Sequence, residues 1–187
     1  KKNNEIDKVI IKLGNILRSN VNVGEELVTV KQSIDLIEDY LSLQKMRYSD
    51  KLSINISVDP STNLYKIPKL IIQPIVENAC KHGLQSSMDE NRKLILTAKI
   101  ESDALVITVK DNGAGMDSKQ VNEILSKLKN PNGEIEGDTE SDSDKGSGVG
   151  LRNVYRRMLM NYDKRFHFSI DSALGQGTEI TLRVDKA

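Results

Sequence analysis

The stretch that most limits the fold is residues 71–83, IIQPIVENACKHG. Ile71, Ile72, Ile75, Val76, Ala79 and Cys80 recur at helical spacing, which predicts a helix packed on a core. Glu77 and Asn78 stand side by side in its middle, followed by Lys81 and His82. A buried helix must carry these four on its other face, and that face needs a purpose. Pro74 has no N–H to give to the carbonyl of Leu70, so the helix either kinks there or starts at Gln73. Gly83 is a natural terminator.

Around this helix the texture is mixed α/β. Leu94 to Ile100 and Leu105 to Val109 alternate as strands, and ESD joins them as a hairpin. Leu52, Ile54, Ile56 and Val58 form another strand, which Pro60 stops. Two last strands, around 166–172 and 178–184, flank ALGQG. Val121, Ile124, Leu125 and Leu128 mark a helix, and GSGVG opens another with Leu151, Val154, Met158 and Leu159. Pro68 suits the first turn of a helix. Residues 130–145, NPNGEIEGDTESDSDK, are acidic and nearly free of apolar side chains, the composition of a mobile loop.

Upstream the chain reads as helical. Residues 4–18 carry Ile6, Val9, Ile10, Leu13, Ile16 and Leu17 on one face, and SNVNVGEEL breaks the pattern. Thr29-x-x-Gln32 has the form of a capping box. The helix it starts has Ile34, Ile37, Leu41 and Gln44 on one side and runs to about Tyr48.

Charge narrows the partners. Lys+Arg and Asp+Glu balance at 27 each among 187 residues, which argues against nucleic acid and against a membrane surface. No apolar run has the length of a membrane span, and the sequence is read as carrying no signal peptide. Cys80, the single cysteine, lies on the apolar stripe and is read as a core residue, not a nucleophile. A reduced compartment is expected. The opening KKNN, without methionine, suggests a piece of something longer.

Three glycine-bearing stretches follow the Glu-Asn helix: DNGAG (111–115), GSGVGL (146–151) and GQGT (175–178). Each taken singly reads as a turn. Together they do not. DNGAG is followed by Met-Asp-Ser and a helix, not by a returning strand. GSGVG sits where backbone N–H groups converge with the positive end of a helix dipole, a site for phosphate. Arg152 and Asn153 add side-chain donors. An aspartate ending a buried strand, as Asp111 would, accepts from an exocyclic amine and so selects adenine over guanine. Asn78 offers an amide oxygen suited to Mg²⁺. Glu77 is a candidate base. The polar face of the 73–83 helix then becomes one wall of an ATP site. Alone, Glu77 and Lys81 would be an i,i+4 pair beside a solvated asparagine.

The order IVENACKHG, DNGAGM, GSGVGLRNVYRRM, GQGT closely resembles the N-box and glycine boxes of the GHKL ATPases, a superfamily of histidine kinases, type II topoisomerases, heat-shock chaperones and mismatch-repair ATPases. QPIVENACKHG, GVGLRNVYRRM and the upstream EELVTVKQSIDLIEDYLSLQKMRYSDKL are similar to the LytS/YesM branch of bacterial sensor histidine kinases. The resemblance implies a two-layer α/β sandwich of Bergerat type, a mixed sheet with helices on one face, preceded by N-terminal helices. Residues 1–49 would be the C-terminal part of a dimerisation and phospho-acceptor region, and 50–187 the ATP-binding catalytic domain with its lid at 130–145. Asn78 would ligate Mg²⁺ and Glu77 assist phosphoryl transfer. Asp111 would hold the adenine amine, with Gly113, Gly115 and Met116 shaping its pocket and Thr178 supporting adenine through a water. Gly146, Ser147, Gly148, Val149, Gly150, Leu151, Arg152 and Asn153 would embrace the phosphates. Lys81 and His82 match the family's KHG, with Lys81 reaching phosphate.

The implied function is transfer of the ATP γ-phosphoryl to a histidine, and from there to an aspartate of a response regulator. The full protein would be a homodimer at the cytoplasmic face of the bacterial plasma membrane, tied to the membrane only through segments missing here. The branch carries its acceptor histidine in a PHFLxN-like segment upstream of the first helix, whereas this sequence has only His82 and His167. His167 is read as an ordinary half-exposed strand residue. The alternative is a GHKL nucleotide-binding module or ATPase without histidine kinase activity, of the anti-sigma kind. A mechanical clamp ATPase is disfavoured, because 37 residues after GVG leave no room for a transducer domain.

Overall fold

The computed structural model describes residues 7, 9–15, 26–48, 51–84, 91–129 and 147–186. The expected lid at 130–145 and Gly146 lie outside the described residues, as do the ends of the 4–18 helix, of which residues 9–15 are helical.

Period-two patterning produces the sheet. Strands β2 (Leu52–Val58), β4 (Arg92–Glu101), β5 (Ala104–Asp111), β6 (Phe166–Ala173) and β7 (Gly177–Asp185) form five strands in the order β2-β4-β5-β7-β6. β2 pairs parallel to β4, and the other pairs are antiparallel, so the sheet is mixed. Leu94, Leu96 and Ala98, Leu105, Ile107 and Val109, and Ile180, Leu182 and Val184 are buried on one face. Between them Lys99, Lys110 and His167 stand exposed. The β4–β5 hairpin turns on Ser102 and Asp103, both with positive φ (50° and 60°), as a two-residue turn requires.

Helices cover the apolar face. α1 (Val30–Tyr48) starts at the expected capping box: Gln32 Oε1 accepts from Thr29 N at 2.8 Å, and Thr29 Oγ1 accepts from Gln32 N at 3.1 Å. Its Val30, Ile34, Ile37 and Leu41 enter the same core as the sheet. α2 (Gln73–Asn78) lends Ile75 and Val76 to that core and continues as a π-helical turn, Ala79–Leu84. α3 (Ser118–Lys129) and α4 (Ser147–Tyr162) complete the layer, burying Leu128, and Leu151, Val154 and Met158. The fold is the expected two-layer α/β sandwich.

A short ribbon ties the upstream helix to the site. β1 (Leu27–Thr29) pairs antiparallel with β3 (Lys66–Pro68). Pro68 therefore ends a strand and does not open a helix. It lies opposite Leu27 at the end of the ribbon, where a strand tolerates a residue without an N–H. The chain reverses at Leu70 (φ 59°), and the helix begins at Gln73 with Pro74 in its first turn. Arg157 of α4 donates to the Lys69 carbonyl at 2.7 Å, and Tyr162 donates to that of Lys66 at 2.9 Å.

Candidate functional site

Strand register places the polar back wall. On β5 the inward positions run Leu105, Ile107, Val109, Asp111, so the carboxylate continues an apolar row into the core. On β7 the same phase gives Val184, Leu182, Ile180, Thr178, and on β6 Phe166, Phe168, Ile170, Ser172. Asp111 is the Cα partner of Thr178, and Thr178 is the partner of Ser172. Three polar residues thus form one rank across three strands on the helix-facing side.

Asp111 is 4% exposed. Burial pushes its carboxyl up to about 6, against hydrogen bonds from the backbone N–H groups of Gly113 and Thr178 that pull it down. Gly113 N donates to Oδ1 at 2.8 Å. A carboxylate so enclosed, on the wall of a cavity, can accept from a donor that enters it.

Glycines let the motifs close around it. A Cβ built on Gly83 would lie 2.5 Å from Asp111 Oδ1, and one on Gly113 would run into the backbone of Gly83, 2.5 Å from its Cα. Ala114 N donates to the Gly83 carbonyl at 3.1 Å, and Gly175 N to the Ala114 carbonyl at 2.7 Å. The end of the Glu-Asn helix, DNGAG and GQG are thereby stitched into one floor. Gly177, at φ 86°, holds a backbone that other residues rarely adopt.

The helix supplies the opposite wall. Asn78, His82 and Gly83 line the cavity with Ile75 and Ala79. The π turn widens the helix where these groups converge, a distortion that is frequent at functional sites. Asn78 Nδ2 is buried without a partner. Glu77 Oε1 accepts from Gln73 Nε2 at 2.8 Å, one turn back along the helix. Lys81 is exposed and is not among the residues lining the cavity. Cys80 faces the core at 2% exposure. Burial, the Asp111 charge and Glu77 push its thiol up to about 12 although a hydrogen bond with Tyr40 of α1 opposes this, so it is no nucleophile.

The remaining wall comes from α3 and α4. Ile124, Leu151 and Met116 line the cavity, and Gly115 (φ 65°) sets the turn that presents Met116. The described part of α4 starts at Ser147, with Gly148, Val149 and Gly150 following at that end of the helix, and the N–H groups of a helix start suit an anion. A Cβ on Gly150 would touch Pro74 Cβ at 3.4 Å, which places this terminus beside α2. Val149 is 60% exposed, Asn153 is exposed and Arg152 half-buried.

Of the residues expected at the site, the structure gathers Asn78, His82, Asp111, Gly115, Met116, Leu151 and Thr178 around one cavity, with Gly113 holding Asp111 from behind. Glu77 is on the same helix and is half-buried, pointing back to Gln73. Sequence reasoning missed Gly83 as a packing partner of Asp111, the apolar lining by Ile124 and Ile180, and Ser172. The phase of β6 carried a signal for Ser172, since it continues Phe166, Phe168 and Ile170.

A Mg²⁺ ion fits the donor set. Among the described residues no group of three His, Cys, Asp or Glu side chains is placed to hold a metal. Mg²⁺ needs none: it takes one or two protein oxygens and completes its shell with water and substrate phosphates. Asn78, on the cavity wall, carries an amide oxygen of this kind.

The chain is similar to known proteins in sequence and in fold. Residues 65–187 match the family described as histidine kinase-, DNA gyrase B-, and HSP90-like ATPase, and residues 1–52 match the histidine kinase family. The sensor histidine kinase YesM of Bacillus subtilis is 27% identical over 96% of this chain and 28% of its own length. The sensor histidine kinase YpdA of Escherichia coli is 29% identical over 95% of this chain and 28% of its own. The sensor protein LytS of Staphylococcus haemolyticus is 29% identical over 86% and 26%. The chain thus spans little more than a quarter of these relatives. The catalytic domain of histidine kinase ThkA superposes with a TM-score of 0.58 at 11% identity, covering 86% of this chain and 94% of that one. The histidine kinase domain of the Erythrobacter litoralis blue-light activated kinase gives 0.54 at 13%, covering 97% and 79%. The chain belongs to the family of histidine kinase-, DNA gyrase B- and HSP90-like ATPases.

Proposed function

We propose that this chain is the ATP-binding catalytic portion of a two-component sensor histidine kinase. The observation that carries the reading is Asp111: a carboxylate 4% exposed, at the end of β5, facing a cavity whose other wall holds Asn78. A buried carboxylate without an ionic partner is costly. An adenine amine would satisfy it, with Met116, Leu151 and Ile180 against the ring.

In this reading each part of the site has one task. Asp111 accepts from the adenine amine, and Gly113 and Gly115 let the ring approach the backbone. The N-terminal turn of α4, with Ser147, Gly148, Val149 and Gly150, donates N–H groups to the phosphates. Arg152, Asn153, Lys81 and His82 add donors at the rim. Asn78 would hold Mg²⁺, which neutralises phosphate charge when bound. Glu77, oriented by Gln73, takes the proton from the attacking histidine. Positioning supplies most of the rate, as is general for phosphoryl transfer.

The names of the relatives support the signalling assignment. The acceptor would be a histidine upstream of this segment, and the phosphoryl would pass to an aspartate of a response regulator. Residues 1–49 are read as the C-terminal part of the dimerisation and phospho-acceptor region, and 50–187 as the catalytic unit. The full protein would be a homodimer, membrane-linked through segments outside this chain. Calorimetric titration with ATP and GTP, with and without Mg²⁺, tests the site. ATP should bind more tightly than GTP, and equal affinities would remove the role given to Asp111.

A further inference from the structure

Ser172 lies on β6 outside every glycine motif, yet its hydroxyl joins two of them. Met116 N donates to Ser172 Oγ at 2.8 Å. Ser172 Oγ donates to the Gly177 carbonyl at 2.8 Å, and lies 3.0 Å from Thr178 Oγ1. A hydroxyl has one proton and two lone pairs. The proton goes to Gly177 and one lone pair receives the Met116 N–H. The third bond must then come from Thr178, whose own proton is directed at Ser172.

We propose that Ser172 fixes the Thr178 hydroxyl as an acceptor toward the cavity and thereby helps the site choose adenine over guanine. The proposal rests on the adenine-pocket reading and deepens it. Thr178 lines the cavity beside Asp111, its partner across the β5–β7 ladder. With its proton committed to Ser172, Thr178 turns lone pairs to the ligand, as Asp111 does. Such a wall accepts from an exocyclic amine or from a water. It opposes the carbonyl that guanine carries at the same ring position. Without Ser172 the Thr178 hydroxyl is free to rotate and donate to that carbonyl.

Ser172 is thus a positioning residue acting through Thr178, and the ratio of ATP to GTP affinity is its readout. Loosened packing would weaken both nucleotides alike and leave the ratio unchanged. Affinities for both nucleotides should be measured calorimetrically on the whole chain and on four variants: Ser172→Ala, Ser172→Thr, Thr178→Val, and Ser172→Ala combined with Thr178→Val. Ser172→Ala should lower the ratio about 5- to 10-fold, the scale of one hydrogen bond. Ser172→Thr, which keeps the hydroxyl and suits a strand, should restore it. In the Thr178→Val background, Ser172→Ala should leave the ratio where it is. An unchanged ratio in Ser172→Ala, or an equal fall in both backgrounds, would overturn the proposal while leaving the nucleotide site intact. Failure of the unsubstituted chain to prefer ATP would overturn the adenine reading itself, and this proposal with it.

Discussion

Gly83 and Asp111 occupy one small space: a Cβ on Gly83 would stand 2.5 Å from Oδ1 of Asp111 and 2.6 Å from its Cγ. The helix that carries Glu77 and Asn78 meets the carboxylate of β5 only because its last turn offers a residue without a side chain. The two walls of the site are held at their separation by this contact and by the Ala114 N–H on the Gly83 carbonyl.

Gly83→Ala should therefore damage both fold and binding. The methyl group has to displace a buried carboxylate whose backbone is fixed in a central strand. Overpacking of this kind costs about 1–3 kcal/mol. A lower midpoint in thermal unfolding and a loss of adenosine binding of about tenfold or more are expected, the latter from moving Asp111 out of place. Unchanged adenosine affinity in the folded variant would mean that Asp111 does not contact the base.

The carboxyl of Asp111, pushed up to about 6 from an ordinary 3.8, makes a pH prediction with a definite sign. Between those values the folded form holds more protons than the unfolded chain, so this group's contribution to stability falls as pH rises from about 4 to about 6. Adenine binding runs the other way, because the amine is accepted by the ionised form. Adenosine, which has no phosphate to titrate, should bind about tenfold more weakly at pH 5 than at pH 7. Titrations across that range check this, and Asp111→Asn should abolish the dependence together with most of the affinity. A flat profile in the unsubstituted chain would contradict the assignment.

Asn78→Ala separates a ligand role from a structural one. Its amide nitrogen is buried with no partner, so removing the side chain breaks no hydrogen bond at that atom. Thermal stability without nucleotide should stay within about 1 kcal/mol of the parent, while the gain in ATP affinity on adding Mg²⁺ should disappear. A large loss of stability would instead make Asn78 a structural residue.

Much of this architecture was legible because it is written in local patterns. The Thr29–Gln32 capping box, the ESD turn and the alternation of 52–58 and 94–109 each depend on neighbours in sequence, and each appears where the pattern places it. Asp111 was legible for a related reason: it closes an apolar alternation with a charge. What stayed hidden depends on distant partners. Pro68 suggested a helix start because its strand partner, Leu27, lies about forty residues upstream in a ribbon of three pairs. Gly83 read as a helix terminator because its steric role exists only once Asp111 is in place. The π turn at Ala79–Leu84 has no periodicity that separates it from an α-helix over so short a span. Ser172 was overlooked because the β6–β7 register, not its own sequence context, sets it beside Thr178.

His167 is exposed on β6, with Nε2 3.0 Å from Asp185 Oδ2, on the sheet face away from the cavity. His82 lines the cavity itself, one turn beyond Asn78. In the proposed reading His82 belongs to the wall of the nucleotide site and His167 lies on the opposite face of the sheet, so neither is taken as the acceptor. The central claim, that this site phosphorylates a histidine supplied from outside the chain, is tested by one phosphotransfer measurement. The chain is incubated with Mg²⁺ and γ-labelled ATP, alone and with the acceptor-bearing segment of the full-length protein. The account predicts acid-labile, base-stable label on the added segment only, suppressed by Glu77→Gln while ATP binding is retained. Label on this chain that vanishes with His167→Ala, or ATP hydrolysis without any labelled acceptor, would contradict it.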